Sequence, residues 1–275
     1  MSTRTPAAKR ALFRELHRDG CFVLPNPWDA GSAKALEAMG FKALATTSAG
    51  HAWSCAHADG EVSREATLAH LRAMAALTDL PVNADFESGF GHSLAELDES
   101  VRLAVDTGVA GLSIEDSTGN RDAPLRERAE AVERMQAARA AIDACGGDTL
   151  LVGRAENFFV GMPDLADAIT RLQAYAEAGA DCLYAPGIRT REQIRTVVAA
   201  LAPKPVNVLI GWESELSVQD LAELGVRRIS VGGALARTAW GGFLHAARTI
   251  AEQGRFDGFA GTPAGAELNR MFKPV

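Results

Sequence analysis

Short apolar, β-branched runs alternate along the chain with alanine-rich stretches in which apolar positions recur every three to four residues. The runs are "CFVLPN" from Cys21, "ALATTS" from Ala43, "PVNADFE" from Pro81, "GLSIED" from Gly111, "TLLVGRAE" from Thr149, "CLYAPG" from Cys182, "PVNVLI" from Pro205 and "RRISVGG" from Arg227. Near-continuous apolar runs of this length read as parallel strands covered on both faces. The stretches between them, such as "AELDESVRLAVDTG", "LADAITRLQAYAEAGA" and "SVQDLAELGV", read as amphipathic helices. Gly40, Gly108, Gly179 and Gly225 stand where such helices end, the place for a left-handed cap. Eight strand–helix units predict a closed (β/α)8 TIM barrel of class α/β, with an open doubly wound sheet as the competing architecture.

Length agrees with one barrel domain over residues 1–275, with a C-terminal extension from about 240. The apolar share of 47% and charged share of 23% suit a globular protein with a sizeable core. A net charge of -7 with no basic cluster argues against a nucleic-acid partner. The opening "MSTRTPAAKRALFRELHRDG" is charged and helix-like, and no apolar run is long enough to span a bilayer, so a cytoplasmic location is expected. Cys21, Cys55, Cys145 and Cys182 are scattered without metal-ligand or disulfide spacing.

In a barrel the chemistry sits where the strands end. The third run ends in Asp85 and Glu87, which strand alternation would send to one side; the fourth ends in Glu115 and Asp116, the fifth in Arg154 and Glu156. Carboxylates gathered at one mouth suit a hard divalent cation, Mg²⁺ or Mn²⁺, held directly or through water. Helix capping by these acids is the plainer reading, and it accounts for one or two of the pairs.

The ordered motifs "ADFESGFG", "IEDS", "GRAENF" and "TTSAG" together resemble the isocitrate lyase and phosphoenolpyruvate mutase superfamily, over nearly the whole chain. The resemblance implies Asp85 and Glu87 as acidic magnesium residues, with Glu115 in the outer metal shell. It implies Arg154 on a substrate carboxylate, and Ser48 with the N–H groups of Ala49 and Gly50 on the carboxylate or developing oxyanion. Asp59, in "HADG", falls at the spacing of a further family acid; it or His51 would serve as a base. Asn207, at the seventh strand end, joins the substrate-binding set. The closing "RFDGFAGTPAGAELNRMF" is similar to the extension that family members exchange between subunits, which implies a homodimer or homotetramer.

Two departures narrow the chemistry. The segment "SIEDSTGNRDAPLRERAE" holds neither the Cys nor the His of the isocitrate and methylisocitrate lyase loop. Phosphonate-processing members carry a His on the sixth strand, where this chain reads "YAPG", and no basic group for a phosphorus centre stands at the expected place. What the resemblance leaves is a Mg²⁺-dependent lyase on a small 2-oxo or 2-hydroxy dicarboxylic acid, by decarboxylation or C–C cleavage through an enolate. The alternatives are phosphonopyruvate hydrolase or phosphoenolpyruvate mutase chemistry, or a 2-oxo acid-binding protein with little turnover. Elsewhere, "GHAWSCAHADG" reads as a polar loop rather than a Cys–His site. "SVGGALAR" reads equally as a phosphate loop or as close packing, Asp29 as a helix cap, and Trp28 and Trp212 as wall residues at the mouth.

Overall fold

A computed structural model describes residues 3–273; positions 1, 2, 274 and 275 of the expected domain lie outside the described residues. The eight apolar runs become β1 (Phe22–Leu24), β2 (Leu44–Ala45), β3 (Val82–Asp85), β4 (Gly111–Glu115), β5 (Leu150–Arg154), β6 (Cys182–Tyr184), β7 (Val206–Leu209) and β8 (Arg228–Ser230). All are parallel, in the order β1-β8-β7-β6-β5-β4-β3-β2. The two end strands meet through the Ala45 N–H on the Pro25 carbonyl at 3.1 Å and the Asn26 amide on the Thr46 carbonyl at 2.8 Å. Pro25 has no N–H of its own to add to that pairing.

The helices are α1 (Pro6–Leu16), α2 (Ala30–Ala38), α3 (Ser48–Ser54), α4 (Arg64–Leu77), α5 (Leu94–Asp106), α6 (Arg128–Ala144), α7 (Leu165–Glu177), α8 (Arg191–Leu201), α9 (Val218–Glu223), α10 (Ala234–Gln253) and α11 (Gly265–Met271). Reciprocal capping boxes start four of them, at Asp29/Ser32, Ser93/Glu96, Thr190/Gln193 and Ser217/Asp220. The four glycines expected at helix ends all take positive φ, from 84° to 105°. The main core lies between sheet and helices, with Phe86, Leu97, Leu112, Ile142 and Tyr175 sealed inside it. Helix α1 closes the N-terminal end of the barrel, where Phe13 packs with Phe22, Ala43, Ala110 and Leu150. In the C-terminal extension a short turn at Asp257–Phe259 packs on α10, and α11 packs on α2. No helix among the described residues is long and apolar enough to cross a membrane.

Candidate active site

At the C-terminal ends of the strands a cavity of about 1070 Å³ opens, lined by Ser48, Ala49, Asp59, Asp85, Glu87, Glu115, Arg154 and Glu156 among others. Arg154, the last residue of β5, is its electrostatic centre. Its Nη1 lies 3.1 Å from Asp85 Oδ1 and 3.1 Å from Glu115 Oε2, its Nε donates to Glu156, and its guanidinium stands 5.3 Å from the centroid of the Tyr184 ring. Burial works against this charge, but Glu156, Glu115 and Asp85 outweigh it and hold the Arg154 pKa well above its ordinary value. Asp85 is fixed from three sides. Its Oδ2 accepts from the Ser48 N–H at 2.9 Å and the Ser48 hydroxyl at 3.0 Å, and its own N–H donates to Thr46 Oγ1 at 2.9 Å. Glu115 accepts from the Ser117 hydroxyl at 2.5 Å.

Glu87 reaches the cavity by another route than alternation. Strand β3 stops at Asp85, Phe86 turns into the core, and Glu87 takes φ 48°, a left-handed conformation that a non-glycine residue holds at a cost. The N–H of Glu115 donates to the Glu87 carbonyl at 3.0 Å and pins the turn. The following Gly91 has no alternative: an added Cβ would come 2.4 Å from the Leu97 nitrogen at the start of α5. The Glu87 carboxyl has no hydrogen-bond partner among the described residues. Burial and the charges of Asp85, Glu115 and Asp59 push its pKa up to about 8. Glu156 is also pushed up to about 8, chiefly by burial, although Arg154 opposes it. At the rim, burial and Asp85 raise the Asp59 carboxyl, with Ser48 and Arg154 acting the other way.

Five acids thus surround one guanidinium, an excess of negative charge that suits an oxygen-ligated divalent cation. No three acidic, His or Cys side chains among the described residues converge closely enough to hold a metal unaided. The donor set therefore fits an ion that keeps several of its waters, as Mg²⁺ commonly does.

Several residues singled out in the sequence do not meet here. Asn207 is fully buried inside β7, its amide donating to Ser230 at 2.9 Å and accepting from Arg228 at 2.8 Å, and it does not line the cavity. The Gly50 N–H caps α3 through Thr47 at 3.3 Å, and Gly50 also lies off the cavity wall. Asp116 faces outward to the helix layer, where the Tyr175 hydroxyl at 2.6 Å and Arg171 at 3.2 Å donate to it. The Asp29 cap is present. His51 stacks on His70 at 3.7 Å beside an exposed Cys55. The amides of Val231 and Gly232 both donate to Asn26 Oδ1 at 2.9 Å, which ties this turn to the end of β1, and Val231, Gly232 and Gly233 line the cavity.

The structure also brings in residues the sequence left out. Tyr184 and Arg228 line the cavity, as does Arg189 just after β6, whose guanidinium stands 4.2 Å from the Trp212 ring. Arg189 places a cation near the sixth strand, where the motif comparison found none. The inward period of β8, Arg228 and then Ser230, was the available signal for Arg228. Asn120 and Arg121, which the sequence places in the gating-loop segment after β4, line the cavity as well.

Comparison with known proteins matches the phosphoenolpyruvate phosphomutase family model to residues 13–251. The structure of a candidate lyase/mutase from Burkholderia cenocepacia J2315 superposes with a TM-score of 0.94 at 46% identity, covering 97% of each chain. Oxaloacetate decarboxylase of Bradyrhizobium sp. (strain ORS 278) is 31% identical over 232 residues, 81% of this chain and 77% of its own length. Oxaloacetate acetylhydrolase in complex with the product oxalate superposes with a TM-score of 0.86 at 25% identity, covering 98% of this chain and 95% of the other.

Proposed function

The chain belongs to the phosphoenolpyruvate phosphomutase family, within the isocitrate lyase and phosphoenolpyruvate mutase superfamily, and from that premise we propose that it is a metal-dependent lyase of a small 2-oxo dicarboxylic acid such as oxaloacetate. The observation that carries this reading is Arg154, held between Asp85, Glu115 and Glu156 at the cavity mouth. Its similarity to an oxaloacetate decarboxylase supports the substrate class.

In this reading Arg154 binds the carboxylate next to the keto group, and the Ser48 hydroxyl orients it from the opposite wall. When the bond between C3 and the distal carboxylate breaks, CO₂ leaves and its electron pair moves through C2 onto the keto oxygen, giving an enolate. Mg²⁺ or Mn²⁺, held by Asp85 and through water by Glu87 and Glu115, would supply the positive charge that polarises that keto oxygen. Donors fixed before the reaction cost no reorganisation at the barrier, and each is worth about 2.7–4 kcal/mol in comparable sites. Asp59, next to Ser48 at the rim, returns a proton to C3. No cysteine is needed. The exposed Phe243, Phe256, Phe259 and Phe272 on the C-terminal extension support a dimer or tetramer.

A second reading, cleavage of phosphonopyruvate, is favoured by one observation: Arg189 on Trp212 offers a cation to a distal phosphonate as readily as to a carboxylate. Purified protein with Mg²⁺ is to be given oxaloacetate, isocitrate, methylisocitrate and phosphonopyruvate, with glyoxylate release from isocitrate and pyruvate release from the other three recorded against protein-free blanks. Pyruvate formation above the blank from oxaloacetate is expected. Turnover of phosphonopyruvate instead would select the second reading. No turnover of any of the four, with 2-oxo acids still binding, would overturn both in favour of a binding protein.

A further inference from the structure

The barrel interior holds a second buried guanidinium, and no carboxylate among the described residues pairs with it. Arg228 is 2% exposed and stands at the start of β8, level with Phe22 of β1 and Asn207 of β7. Its Nε donates to Asn207 Oδ1 at 2.8 Å. Its Nη1 lies 3.4 Å from Asn83 Oδ1 and 3.4 Å from His17 Nε2, and the guanidinium stands 5.9 Å from the Phe13 ring centroid. The ionisable groups that bear most on its charge are Cys182 and Tyr184. Burial pushes both up, Tyr184 to about 12, so both stay neutral. His17 is neutral as well, its pKa driven down to about 3 by burial and by Arg228 itself. A buried charge without a counter-ion is among the costliest features a fold can hold, and it points to a partner of opposite sign.

The cavity has space for that partner. Arg228 lines the same cavity as Arg154, together with Asn26, Asn83, Ser113 and Ser230. Between the two guanidinia runs a chain of neutral groups. Asn207 donates to Ser230 at 2.9 Å, Tyr184 of β6 stands level with Asn207, and the Tyr184 ring centroid lies 5.3 Å from the Arg154 guanidinium. The mouth of the cavity is therefore crowded with acids, while its floor has a cation and polar neutral walls.

We propose that the floor of the cavity is a carboxylate subsite, in which a monovalent carboxylate sits against the Arg228 guanidinium beside Asn83 and Ser230. Two sources share this chemistry: a free small carboxylate, or the distal carboxylate of the substrate. The second rests on the reaction proposed above; the first does not.

Thermal unfolding of the full chain at constant ionic strength separates them. In EDTA, sodium formate is expected to raise the midpoint saturably in the wild type. Arg228→Gln should abolish the response. So should Asn83→Asp, which puts a carboxylate of the chain's own beside Arg228 and is expected to raise the midpoint before any formate is added. With Mg²⁺ present, pyruvate is compared with 2-oxoglutarate, which adds a distal carboxylate. If the substrate's own carboxylate fills the floor, the diacid binds about tenfold tighter or more, the margin of one charge-assisted hydrogen bond, and Arg228→Gln removes that margin. A response in either arm that depends on Arg228 supports the subsite and names its source. Should Arg228→Gln fail to fold, Asn83→Asp reads the same floor. A formate response unchanged in the variants is an adventitious ion only. That result, or no response in either arm, overturns the subsite. A floor response without any catalytic turnover keeps the subsite and overturns only the reaction.

Discussion

Two arginines point into one barrel, and their surroundings are opposite. Arg154, at the end of β5, touches three carboxylates; Arg228, at the start of β8, touches Asn207, Asn83 and a neutral His17. Around Arg154 negative charge exceeds positive, and burial pushes both Glu87, which no hydrogen bond reaches among the described residues, and Glu156, although Arg154 donates to it, up to about 8. Around Arg228 the imbalance is reversed, and burial lowers the guanidinium's own pKa. The same cavity thus carries an excess of negative charge at one end and an unpaired positive charge at the other.

The largest expected effect breaks the acidic end. Arg154→Met leaves Asp85, Glu115 and Glu156 without their shared partner, and urea unfolding in EDTA at pH 8 should show a loss of about 3–5 kcal/mol, the usual cost of stranding buried charge. The loss should shrink as pH falls and the stranded carboxyls take up protons. Measured at pH 6, an undiminished loss would mean that packing, and not charge, was removed.

A smaller effect belongs to the basic end. His17 has a folded pKa of about 3 against an ordinary 6.5, depressed by burial first and Arg228 second. Between those values the unfolded chain binds the extra proton, so stability is intact above pH 6.5 and is lost as pH falls toward 3. His17 alone should account for about 1–2 kcal/mol by pH 5, since each pH unit is worth at most 1.4 kcal/mol. His17→Phe should flatten that slope in urea titrations across pH 7 to 5.

The smallest effect sharpens the contrast. Arg228→Met removes an unpaired charge while Asn207 Oδ1 loses its donor and Asn83 Oδ1 and His17 Nε2 lose longer contacts; the two effects offset, so stability at pH 7 should change by about 1 kcal/mol or less. The same variant should lessen the acid sensitivity of His17. A loss as large as that of Arg154→Met would erase the distinction between the two ends.

Much of this was legible in the chain, because strand periods, helix caps and terminal glycines are local signals. All eight strands fall within the apolar runs, and Asp85, Glu115 and Arg154 stand at strand ends as expected. What escaped depends on three-dimensional register. Alternation was carried one turn too far at Glu87, which reaches the cavity only through a left-handed turn. The same alternation, taken strictly, would have sent Asp116 outward from Glu115. Asn207 was assigned to the mouth, yet it sits at the level of Arg228 within the barrel, a depth set by strand stagger that a single run does not encode. Which residues surround Arg228 is likewise a matter of non-local pairing, since Asn83 and His17 lie far from it in the chain.

The most direct test of the acidic end as a cation site is a Mn²⁺ titration of the purified protein followed by electron paramagnetic resonance, in the wild type and in Asp85→Ala. Saturable uptake of one ion per chain, competed by Mg²⁺ and lost in Asp85→Ala, is the predicted result. Uptake that Asp85→Ala leaves unchanged, or no uptake by the wild type, would contradict it.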